Sequence, residues 1–429
     1  MPAAPPSRAA LDRLKLERLR RLLAQILPGN RFYADKLARV RTTLDSLADL
    51  EGWPFTFKDE LVAGARDGCP ANLTWPAERY VRFHRTSGTH GRPLPVLDTA
   101  VDWAWWMDCW REILDRGGVQ AGDRVLVASS FGPYAGFWSG FDAAIDRGAM
   151  AVPTGGMPSL ARLELAHSVG ATVLVATPSY ALHLAEVARD HKLDIAALPI
   201  RLVIVAGEPG GSIPAVRARI AEAWGADVLD HAGATEVGPW GAGTLAGGGI
   251  DVIEPFFHAE FLALETGRAA RPGELAELVL TTLGRVGAPV IRYRTGDLVR
   301  PRWPDEAAAC PWVQLDGGIL GRADDMLVVR GVNVFPTALD DIVRSFPEIV
   351  EYRVIVDTIA SLDELRLEVE DRLAAPDRVA RELRVRLGLR VEVAAVPAGS
   401  LPRFEGKGRR IIDRRRPAHG HGHGDSSQP

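Results

Sequence analysis

Cysteine is scarce in this 429-residue sequence, and long uninterrupted apolar runs are missing. The three cysteines, Cys69, Cys109 and Cys310, lie far apart and form no CxxC pair, which argues against a disulfide framework and a cysteine-rich zinc site and fits a reducing cytoplasm. No stretch reaches the roughly 18 apolar residues of a membrane span, and the charged N-terminal run LDRLKLERLRRLL lacks the apolar core of a secretory signal. We therefore expect a cytoplasmic protein without a membrane span.

Charge of one sign is also lacking. The formal net charge of −4 at pH 7 creates no overall field that would favour nucleic acid or an anionic membrane surface. With 47% hydrophobic and 25% charged residues, the composition is that of an ordinary globular protein. The length suits one large domain with a smaller one, or several small domains.

Between about residues 100 and 230, short β-branched runs alternate with helix-like segments. The predicted strands are DRVLVAS (123–129), AMAVPTG (149–155), ATVLVATPS (171–179) and IRLVIVAGE (200–208), and LARLELAHSVG and YALHLAEVARD are predicted helices. This alternation predicts an α/β fold with a mostly parallel sheet and helices on both faces. Ligands gather at the carboxyl ends of such strands, where SSFGPYAG, PTGG, TPSY and AGEPGG follow.

Other regions follow different patterns. Residues 11–27 have helical apolar spacing between basic residues, which predicts a docking helix, with a basic amphipathic membrane anchor as the alternative. FHAEFLAL, ELAELVLTTL and VIRYRT predict antiparallel strands between residues 250 and 300. Beyond a boundary near 318–325, MLVVRGVNV, ALDDIVRSF, EYRVIV, ELRLEVE and RVARELRVRLG predict an α+β domain. The tail PAHGHGHGDSSQP is predicted to be disordered, although His419, His421 and His423 could hold a metal loosely.

Glycine, serine and threonine concentrate in RTSGTHGRP (85–93). Backbone N–H groups and short hydroxyls in such a run can converge on a phosphate chain. The spacing of the glycines matches neither the Walker pattern nor GxGxxG, so an ordinary turn between strands remains the alternative.

Two carboxylates and one lysine are further candidates. Glu236 in HAGATE (231–236) follows the predicted strand ADVLD and could bind Mg²⁺, although Thr235 and Glu236 could instead cap a helix. Asp297 in VIRYRTGDLVR (290–300) is predicted to lie in a tight turn, where it could accept from both hydroxyls of a ribose or be an ordinary turn residue. Lys407 in LPRFEGKGRRIID (401–413) lies between glycines, so it could swing into a site or stay solvated.

The order of these motifs is more specific than any one of them. A Ser/Thr/Gly loop, xxGxTE, YRTGD, GRxDDM…RGVNVFP (321–336) and LPRxEGK follow one another. In this order the sequence resembles the adenylate-forming acyl-CoA synthetases, and most closely the phenylacetate–CoA ligase family. The runs WPFTFKDEL (53–61), VATPSYALHLAE (175–186), AGEPGG (206–211), ELAELVLTTL (274–283) and GVNVFPTALDDIV (331–343) extend the resemblance over roughly residues 30–415.

The resemblance implies a fold and a reaction. The fold would be a large N-terminal adenylate-forming domain (1–320) of mostly parallel sheets flanked by helices with a small β-barrel-like part, a smaller mobile α+β C-terminal domain (321–416), and a disordered tail (417–429). Enzymes of this family join a small-molecule carboxylic acid to coenzyme A in two steps. ATP and the acid first form acyl-AMP and pyrophosphate with Mg²⁺ beside the phosphates, and the coenzyme A thiol then displaces AMP.

The resemblance also implies roles for individual residues. Lys407 would bridge the acyl carboxylate and the α-phosphate in the first step, and Thr235 and Glu236 would contact phosphate and Mg²⁺. Asp324 would be the hinge at which the C-terminal domain turns. The implied ATP contacts are Thr86, Ser87, Gly88, Thr89, Gly91 and Arg92 at the phosphates, Gly207, Glu208 and Pro209 at the adenine, and Asp297 and Arg322 at the ribose. The implied acyl pocket draws on FGPYAGFW (131–138) and the region after Glu236, with Tyr134, Phe137 and Trp240 as candidates.

The sequence departs from the family around the nucleotide. His90 stands where the family's SGTTGKP has its second threonine, and Arg92 replaces the lysine while keeping a charge that can fork to phosphate oxygens. The aromatic residue that the family places on the adenine is here Ala232. Losing a stacked ring costs about 1–3 kcal/mol unless another ring, from His231 or Tyr180, replaces it.

Three functions therefore stand beside one another. The leading hypothesis is an acid–CoA ligase for an aryl or arylacetic acid, with no nucleic-acid or membrane partner, as a monomer or a homodimer. The second is adenylation with another acceptor, such as an amine, a carrier-protein thiol or a cofactor hydroxyl. The third is a non-catalytic nucleotide-binding protein, which Ala232 favours and Glu236, Asp297 and Lys407 oppose. The basic run RRIIDRRR (409–416) is interpreted as a solvated helix end or a coenzyme A phosphate contact rather than a DNA-binding element.

Overall fold

The β-branched runs of the central sequence form parallel strands in a computed structural model of the protein. The structure describes residues 7–65, 68–86, 93–305, 308, 310–329, 332–359, 362–404 and 410–415. These residues form two compact units. Unit 1 runs through Asp325 and includes Phe404, and unit 2 comprises residues 326–403 and 410–415.

The helices of unit 1 are α1 (Arg8–Ile26), α2 (Arg31–Lys36), α3 (Lys58–Ala63), α4 (Ala100–Arg116), α5 (Ala135–Asp146), α6 (Ser159–Val169), α7 (Pro178–Asp190) and α8 (Pro214–Trp224). Its strands are β1 (Arg82–Arg85), β2 (Pro95–Asp98), β3 (Arg124–Val127), β4 (Met150–Pro153), β5 (Val173–Ala176), β6 (Leu202–Ala206), β7 (Asp227–Ala234), β8 (Gly238–Gly243), β9 (Gly249–Val252), β10 (Phe257–Ala263), β11 (Ala276–Thr282), β12 (Tyr293–Val299), β13 (Pro301–Arg302), β14 (Gln314–Asp316) and β15 (Gly321–Arg322). Unit 2 contains β16 (Leu327–Val329), β17 (Val332–Val334), α9 (Pro336–Arg344), β18 (Ile349–Ile359), β19 (Leu362–Asp371), α10 (Pro376–Leu387), β20 (Glu392–Ala395) and β21 (Ile411–Asp413).

A nine-stranded sheet organises unit 1, in the order β13-β14-β9-β8-β7-β6-β5-β3-β4. The strands from β4 to β7 in this order pair in parallel, and those from β7 to β13 are antiparallel. Successive strand residues point to opposite faces, so Val125 and Val127 pack with α4 and α5 while Leu126 packs with α6, α7 and α8. The predicted parallel sheet with helices on both faces is therefore confirmed.

The second sheet of unit 1 is antiparallel, in the order β10-β11-β12-β15. It is the part that the family resemblance described as barrel-like, and here it is an open sheet with β10 and β15 at its edges. Its strand β12 carries the YRTGD motif. This strand also contacts the N-terminal region, because Thr56 bridges to Tyr293.

Helix α1 docks on unit 1, as predicted. Leu19 and Ile26 are fully buried in a cluster with Leu283 and Ile291. Lys15 is buried as well, and its Nζ lies 2.7 Å from Glu254 Oε1. Because the apolar side of α1 is already covered by the protein, the membrane-anchor alternative is wrong. Over the described part of the chain, no helix combines the length and the apolar character needed to cross a membrane.

Unit 2 is a four-stranded sheet in the order β20-β19-β18-β21, with the hairpin β16–β17 beside it. The inner strands β18 and β19 are antiparallel, and β21 and β20 pair with them in parallel. Leu339, Val343, Val379 and Leu383 of α9 and α10 are buried against the sheet. The predicted α+β fold is confirmed, but the helix end predicted within 409–416 is wrong, because Ile411–Asp413 pairs as a strand with β18.

Candidate active site

The hairpin β1–β2 carries the Ser/Thr/Gly run. Beyond its last strand pair, the Thr86 N–H donates to the carbonyl oxygen of Leu94 at 3.0 Å, and the Leu94 N–H donates to Thr86 Oγ1 at 3.0 Å. Both residues are buried, so the base of the run is fixed. The predicted phosphate contacts Ser87, Gly88, Thr89, Gly91 and Arg92, and the departure His90, lie outside the described residues.

Glu236 lies in the turn between β7 and β8, beyond the carboxyl end of the last parallel strand. The helix-cap alternative for Thr235 and Glu236 is wrong, because the chain turns straight into β8. Glu236 Oε1 accepts from the Tyr293 hydroxyl at 2.8 Å and lies 3.5 Å from Lys58 Nζ. Burial and the Glu236 carboxylate raise the pKa of Tyr293 well above its ordinary value, so the phenol keeps the proton that it donates.

A buried arginine supports the same turn from below. Arg285 Nη1 donates to the main-chain oxygen of Glu236 at 2.7 Å, and its Nε donates to Asp98 Oδ1 at 2.7 Å. Their side chains are 1% and 0% exposed, and Trp106 Nε1 also donates to Asp98 Oδ1, at 3.3 Å. Asp98 ends β2, so this ion pair ties the Glu236 turn to the hairpin that carries the Ser/Thr/Gly run. We call Glu236, Tyr293, Lys58, Arg285 and Asp98 the Glu236 corner.

Sequence reasoning missed Arg285 and Asp98. The signal was a single charge within an apolar stretch, in TTLGRVG and in PLPVLDTA. A charged residue is rarely buried without a partner, so each of these two isolated charges indicated a buried contact. The sequence did not show that they were partners.

Asp297 lies inside β12, and the prediction of a tight turn there is wrong. Gly296 has a φ of +77°, a left-handed value that glycine adopts freely. Because glycine with such a φ is typical of tight turns, the TGD sequence resembled one. The strand nevertheless continues, because Asp297 pairs with Arg322 of β15. Arg322 Nη1 lies 3.5 Å from Asp297 Oδ1, and Arg322 Nε donates to Asp324 Oδ1 at 2.9 Å. One guanidinium thus joins the predicted ribose carboxylate to the predicted hinge carboxylate.

The loop after β6 carries the predicted adenine contacts Gly207, Glu208 and Pro209. Glu208 Oε1 accepts the Ser179 N–H at 2.7 Å, which joins this loop to the start of α7. A Cβ on Gly211 would come within 2.6 Å of the Asp230 side chain, so only glycine fits there. The loops that follow β5 and β6 are therefore held against each other at the carboxyl ends of these parallel strands.

Neither of the two residues suggested as substitutes for the family's adenine-stacking aromatic has a free ring face. His231 is buried with its ring centroid 4.6 Å from that of Trp110. Burial lowers the pKa of His231 to about 4, so its neutral ring donates from Nδ1 to the Gly241 carbonyl at 2.8 Å. Tyr180 is fully buried, with its hydroxyl 3.0 Å from that of Ser159. Ala232 is itself buried beside Gly241, so the family's stacking ring has no substitute among these residues.

The predicted acyl-pocket residues differ in their exposure. Tyr134 is 41% exposed, Phe137 is half-buried on α5, and Trp240 is fully buried in the core that α4 covers. The loop between β3 and α5, which contains Tyr134, also contains Phe131, which was not singled out from the sequence. Its φ of +50° is unusual for a bulky residue, and its ring meets Trp138 edge-on at 4.9 Å. The Trp138 indole donates to the Gly132 carbonyl at 3.0 Å and so fixes this loop.

The remaining predictions concern a metal and Lys407. Among the residues that the structure describes, no cluster of three His, Cys, Asp or Glu side chains could hold a metal. A lone Glu236 is compatible with Mg²⁺, which commonly takes one or two protein carboxylates beside phosphate oxygens and water. Lys407 and the tail histidines lie outside the described ranges. The nearest described arginines on either side of Lys407 are Arg403 and Arg410.

Comparison with known proteins decides the family. Phenylacetate-coenzyme A ligase of Pseudomonas putida is 32% identical over 377 residues, which cover 85% of this chain and 84% of that protein. The enzyme of the same name from Escherichia coli strain K12 is 32% identical over 390 residues, 86% of each chain. This chain belongs to the phenylacetate–coenzyme A ligase family. A family model described as the AMP-binding enzyme C-terminal domain also matches residues 331–415.

A solved structure agrees with this assignment. The crystal structure of 2-hydroxyisobutyryl-CoA ligase with 2-HIB-AMP superposes with a TM-score of 0.89 at 28% identity, covering 96% of this chain and 91% of that one. The resemblance drawn from the motifs, the adenylate-forming fold and the enzyme class are thereby confirmed. The protein is an AMP-forming carboxylic acid–coenzyme A ligase of this family.

Proposed function

We propose that the protein converts an aryl or arylacetic acid into its acyl-AMP with ATP and then transfers the acyl group to coenzyme A. The Glu236 corner is the observation that carries this proposal. It joins the carboxyl end of β7, the hairpin that leads into the Ser/Thr/Gly run, and β12 with Asp297. An ATP-dependent adenylation needs these groups close together. They lie at the carboxyl ends of the strands, where such folds bind ligands.

In the first half-reaction, a carboxylate oxygen of the acid bonds to the α-phosphorus, and the bond to pyrophosphate breaks. Negative charge moves onto the leaving pyrophosphate, so fixed donors and cations lower the barrier. Both described contacts of the Glu236 carboxylate use Oε1, which leaves Oε2 for Mg²⁺. Mg²⁺ would neutralise charge on the phosphate oxygens. Lys407 would approach the α-phosphate in this step, while Thr86 and its loop hold the leaving group.

In the second half-reaction, the thiol sulfur of coenzyme A bonds to the acyl carbon, and AMP leaves with the electrons of the broken acyl–oxygen bond. Asp297 would keep the ribose hydroxyls bound through both steps, with Arg322 beside it. We propose that Asp324 is the pivot between the steps, because it follows β15 as unit 1 ends and is already paired with Arg322. Lys407 would have no role after adenylation.

Aromatic residues of α5 and of the loop before it support the proposed aryl specificity. Phe131, Trp138 and Phe141 pack edge-on as a set, and Tyr134 remains exposed where Pro133 accepts the Arg85 N–H at 2.8 Å. Edge and face contacts with rings favour a planar aryl group over a branched aliphatic one. In this proposal Tyr134 and Phe137 line the acyl site, and Trp240 supports it from the core.

The test is pyrophosphate release with ATP across benzoate, phenylacetate, 2-hydroxyisobutyrate and butyrate, with and without coenzyme A. We expect the aryl acids to turn over fastest, and a thioester to form only when coenzyme A is present. Fastest turnover of an aliphatic acid would remove the aryl assignment. Acid-dependent pyrophosphate release without any thioester would favour an amine, carrier-protein thiol or hydroxyl acceptor, and no release at all would favour a nucleotide-binding protein.

The proposal also covers the setting of the enzyme. A cytoplasmic location is supported by the free cysteines Cys69, Cys109 and Cys310 and by the use of ATP and coenzyme A. Light scattering of the purified protein distinguishes a monomer from a homodimer.

A further inference from the structure

The connection between β20 and β21 crosses the sheet of unit 2. These two strands lie at opposite edges of the order β20-β19-β18-β21. After Ala395 the chain must therefore pass both inner strands before it enters β21 at Ile411. The segment that carries Lys407 belongs to this crossing. It lies between Arg403 and Arg410, which are the described residues closest to it that carry charge.

The chain is anchored before this segment by Arg403. Its Nη2 donates to Glu370 Oε2 at 2.8 Å and its Nη1 to Glu370 Oε1 at 3.1 Å, which is a two-point contact with β19. The Leu401 N–H also donates to Glu370 Oε1, at 2.7 Å. The Glu370 side chain is only 1% exposed, so this contact is shielded from water.

The chain is anchored after the segment by Arg410. Its Nε donates to Glu351 Oε1 at 2.7 Å and its Nη2 to Glu351 Oε2 at 3.0 Å, which is a second two-point contact, now with β18. Arg344 of α9 also donates to Glu351 Oε1, at 2.9 Å. Burial alone would raise the pKa of Glu351, but Arg344 and Arg410 hold it below its ordinary value, so the carboxylate is charged.

The two glutamates face each other across one strand pair. Glu351 and Glu370 are register partners in the β18–β19 ladder. Directly opposed side chains of an antiparallel pair lie about 5 Å apart at Cβ, and like charges there repel. Each arginine therefore neutralises its own carboxylate and relieves the neighbouring one. The two anchors form a coupled unit, which we call the loop clamp: Arg403, Glu370, Glu351 and Arg410.

We propose that the loop clamp is a positioning device for Lys407: it fixes Arg403 and Arg410, the described residues on either side of 405–409, at adjacent points of the sheet, and adenylation by Lys407 depends on this. The proposal rests on the function proposed above for Lys407. A chain segment whose ends are free would sample many positions. Fixing both ends removes most of that freedom before the reaction begins, which is the contribution that orientation makes to a rate.

If the loop clamp positions Lys407, breaking it should slow adenylation alone. If it only stabilises unit 2, breaking it should not single out one half-reaction. Glu370→Gln and Arg403→Lys each remove a two-point charged contact while keeping a polar side chain of similar size. Each should slow the acid-dependent exchange of pyrophosphate into ATP by about 10- to 100-fold through kcat, as small misplacements of reacting groups do. The KM for ATP and the formation of thioester from supplied acyl-AMP should stay within about twofold of wild type, since Lys407 has no role in the second step.

A matched control lies on the same strand pair. Arg353 and Glu368 face each other two residues further along β18 and β19, and Arg353 Nε donates to Glu368 Oε2 at 2.8 Å. Arg353→Gln removes a cross-strand ion pair without touching either end of the segment. It should leave pyrophosphate exchange unchanged, while amide hydrogen exchange in β18 and β19 shows how much the sheet itself is loosened in each variant.

A second experiment uses the Lys407→Ala background. If the loop clamp acts through Lys407, Glu370→Gln should add no further loss there. A full additional loss, or equal losses in both half-reactions, would overturn the proposal, and so would wild-type exchange rates in Glu370→Gln and Arg403→Lys. Failure of the proposed function has a different signature, because the wild-type protein would then show no acid-dependent exchange.

Discussion

The Glu236 corner of unit 1 and the loop clamp of unit 2 are proposed to hold their functional groups in different ways. Glu236 lies in the turn that follows strand β7, and the buried Arg285 fixes this turn by donating to the Glu236 main-chain carbonyl. Lys407 belongs to a connection that crosses a sheet, and two arginines bind the chain on either side of it. A strand end inherits the rigidity of the sheet, whereas a connection has to be fastened at both ends.

This difference has consequences for mutation. In the corner, a buried pair touches the functional residue directly, so its loss should damage stability and activity together. In the loop clamp, the anchors lie a few residues from the lysine, so activity in one half-reaction should be lost before the fold is. The sequence helps to separate the two effects, because all 11 tryptophans lie in unit 1 and their fluorescence follows that unit alone.

The largest effect is expected from removing the group that the loop clamp serves. Lys407→Ala should slow acyl-AMP formation by about 100- to 1000-fold, because one preorganised charge is lost from the transition state. Thioester formation from supplied acyl-AMP should be spared. The two half-reactions are measured separately on the purified variant, and equal losses in both would show that Lys407 serves another step.

Breaking the buried pair of the corner should have the next largest effect. Arg285→Met leaves the buried Asp98 carboxyl without its cationic partner, which costs about 3–5 kcal/mol of unfolding free energy. Denaturant unfolding followed by tryptophan fluorescence measures this loss. The double variant Arg285→Met with Asp98→Asn should recover much of the stability, since no unpaired charge then remains.

The same double variant separates support from stability. It still lacks the hydrogen bond to the Glu236 carbonyl, so the Mg²⁺ dependence of pyrophosphate exchange should remain shifted although the fold has recovered. Full recovery of both properties would mean that Arg285 stabilises unit 1 without positioning Glu236.

What the sequence could predict follows the range of the interactions. The parallel strands were predictable, because apolar runs and their turns are local patterns. The corner pair joins residues 187 apart in the chain, and the loop clamp joins residues 33 and 59 apart, so no local pattern could reveal either. The errors were local ambiguities: TGD resembled a turn because of Gly296, and Thr235–Glu236 resembled a helix cap although β8 follows at once.

Asp297→Ala sharpens the comparison within unit 1. Its carboxylate is carried by β12 and is proposed to accept from ribose hydroxyls, so its loss removes those contacts and its approach to Arg322. Hydrogen bonds to a charged group contribute about 1.5–3 kcal/mol, so ATP binding should weaken by roughly 10- to 100-fold while the tryptophan unfolding transition barely moves. Calorimetric titration with ATP measures the affinity, and unchanged binding would remove the ribose assignment.

The smallest effect is a pH dependence that belongs to the loop clamp. Burial tends to raise the pKa of Glu351 and Glu370, but their arginines, with backbone N–H donors, lower both below the ordinary value of 4.5. A carboxylate with a lowered folded-state pKa stabilises the fold fully above its unfolded pKa and loses that contribution as pH falls through the folded value. Unit 2 should therefore loosen below about pH 4.5, seen as faster amide exchange in β18 and β19 after correction for intrinsic rates. Glu370→Gln should reduce this dependence without abolishing it, because the pKa values of Asp363, Asp371 and Asp413 in unit 2 are also lowered, and Arg353→Gln should retain it. An unchanged dependence in Glu370→Gln would assign the acid sensitivity to other carboxylates of unit 2.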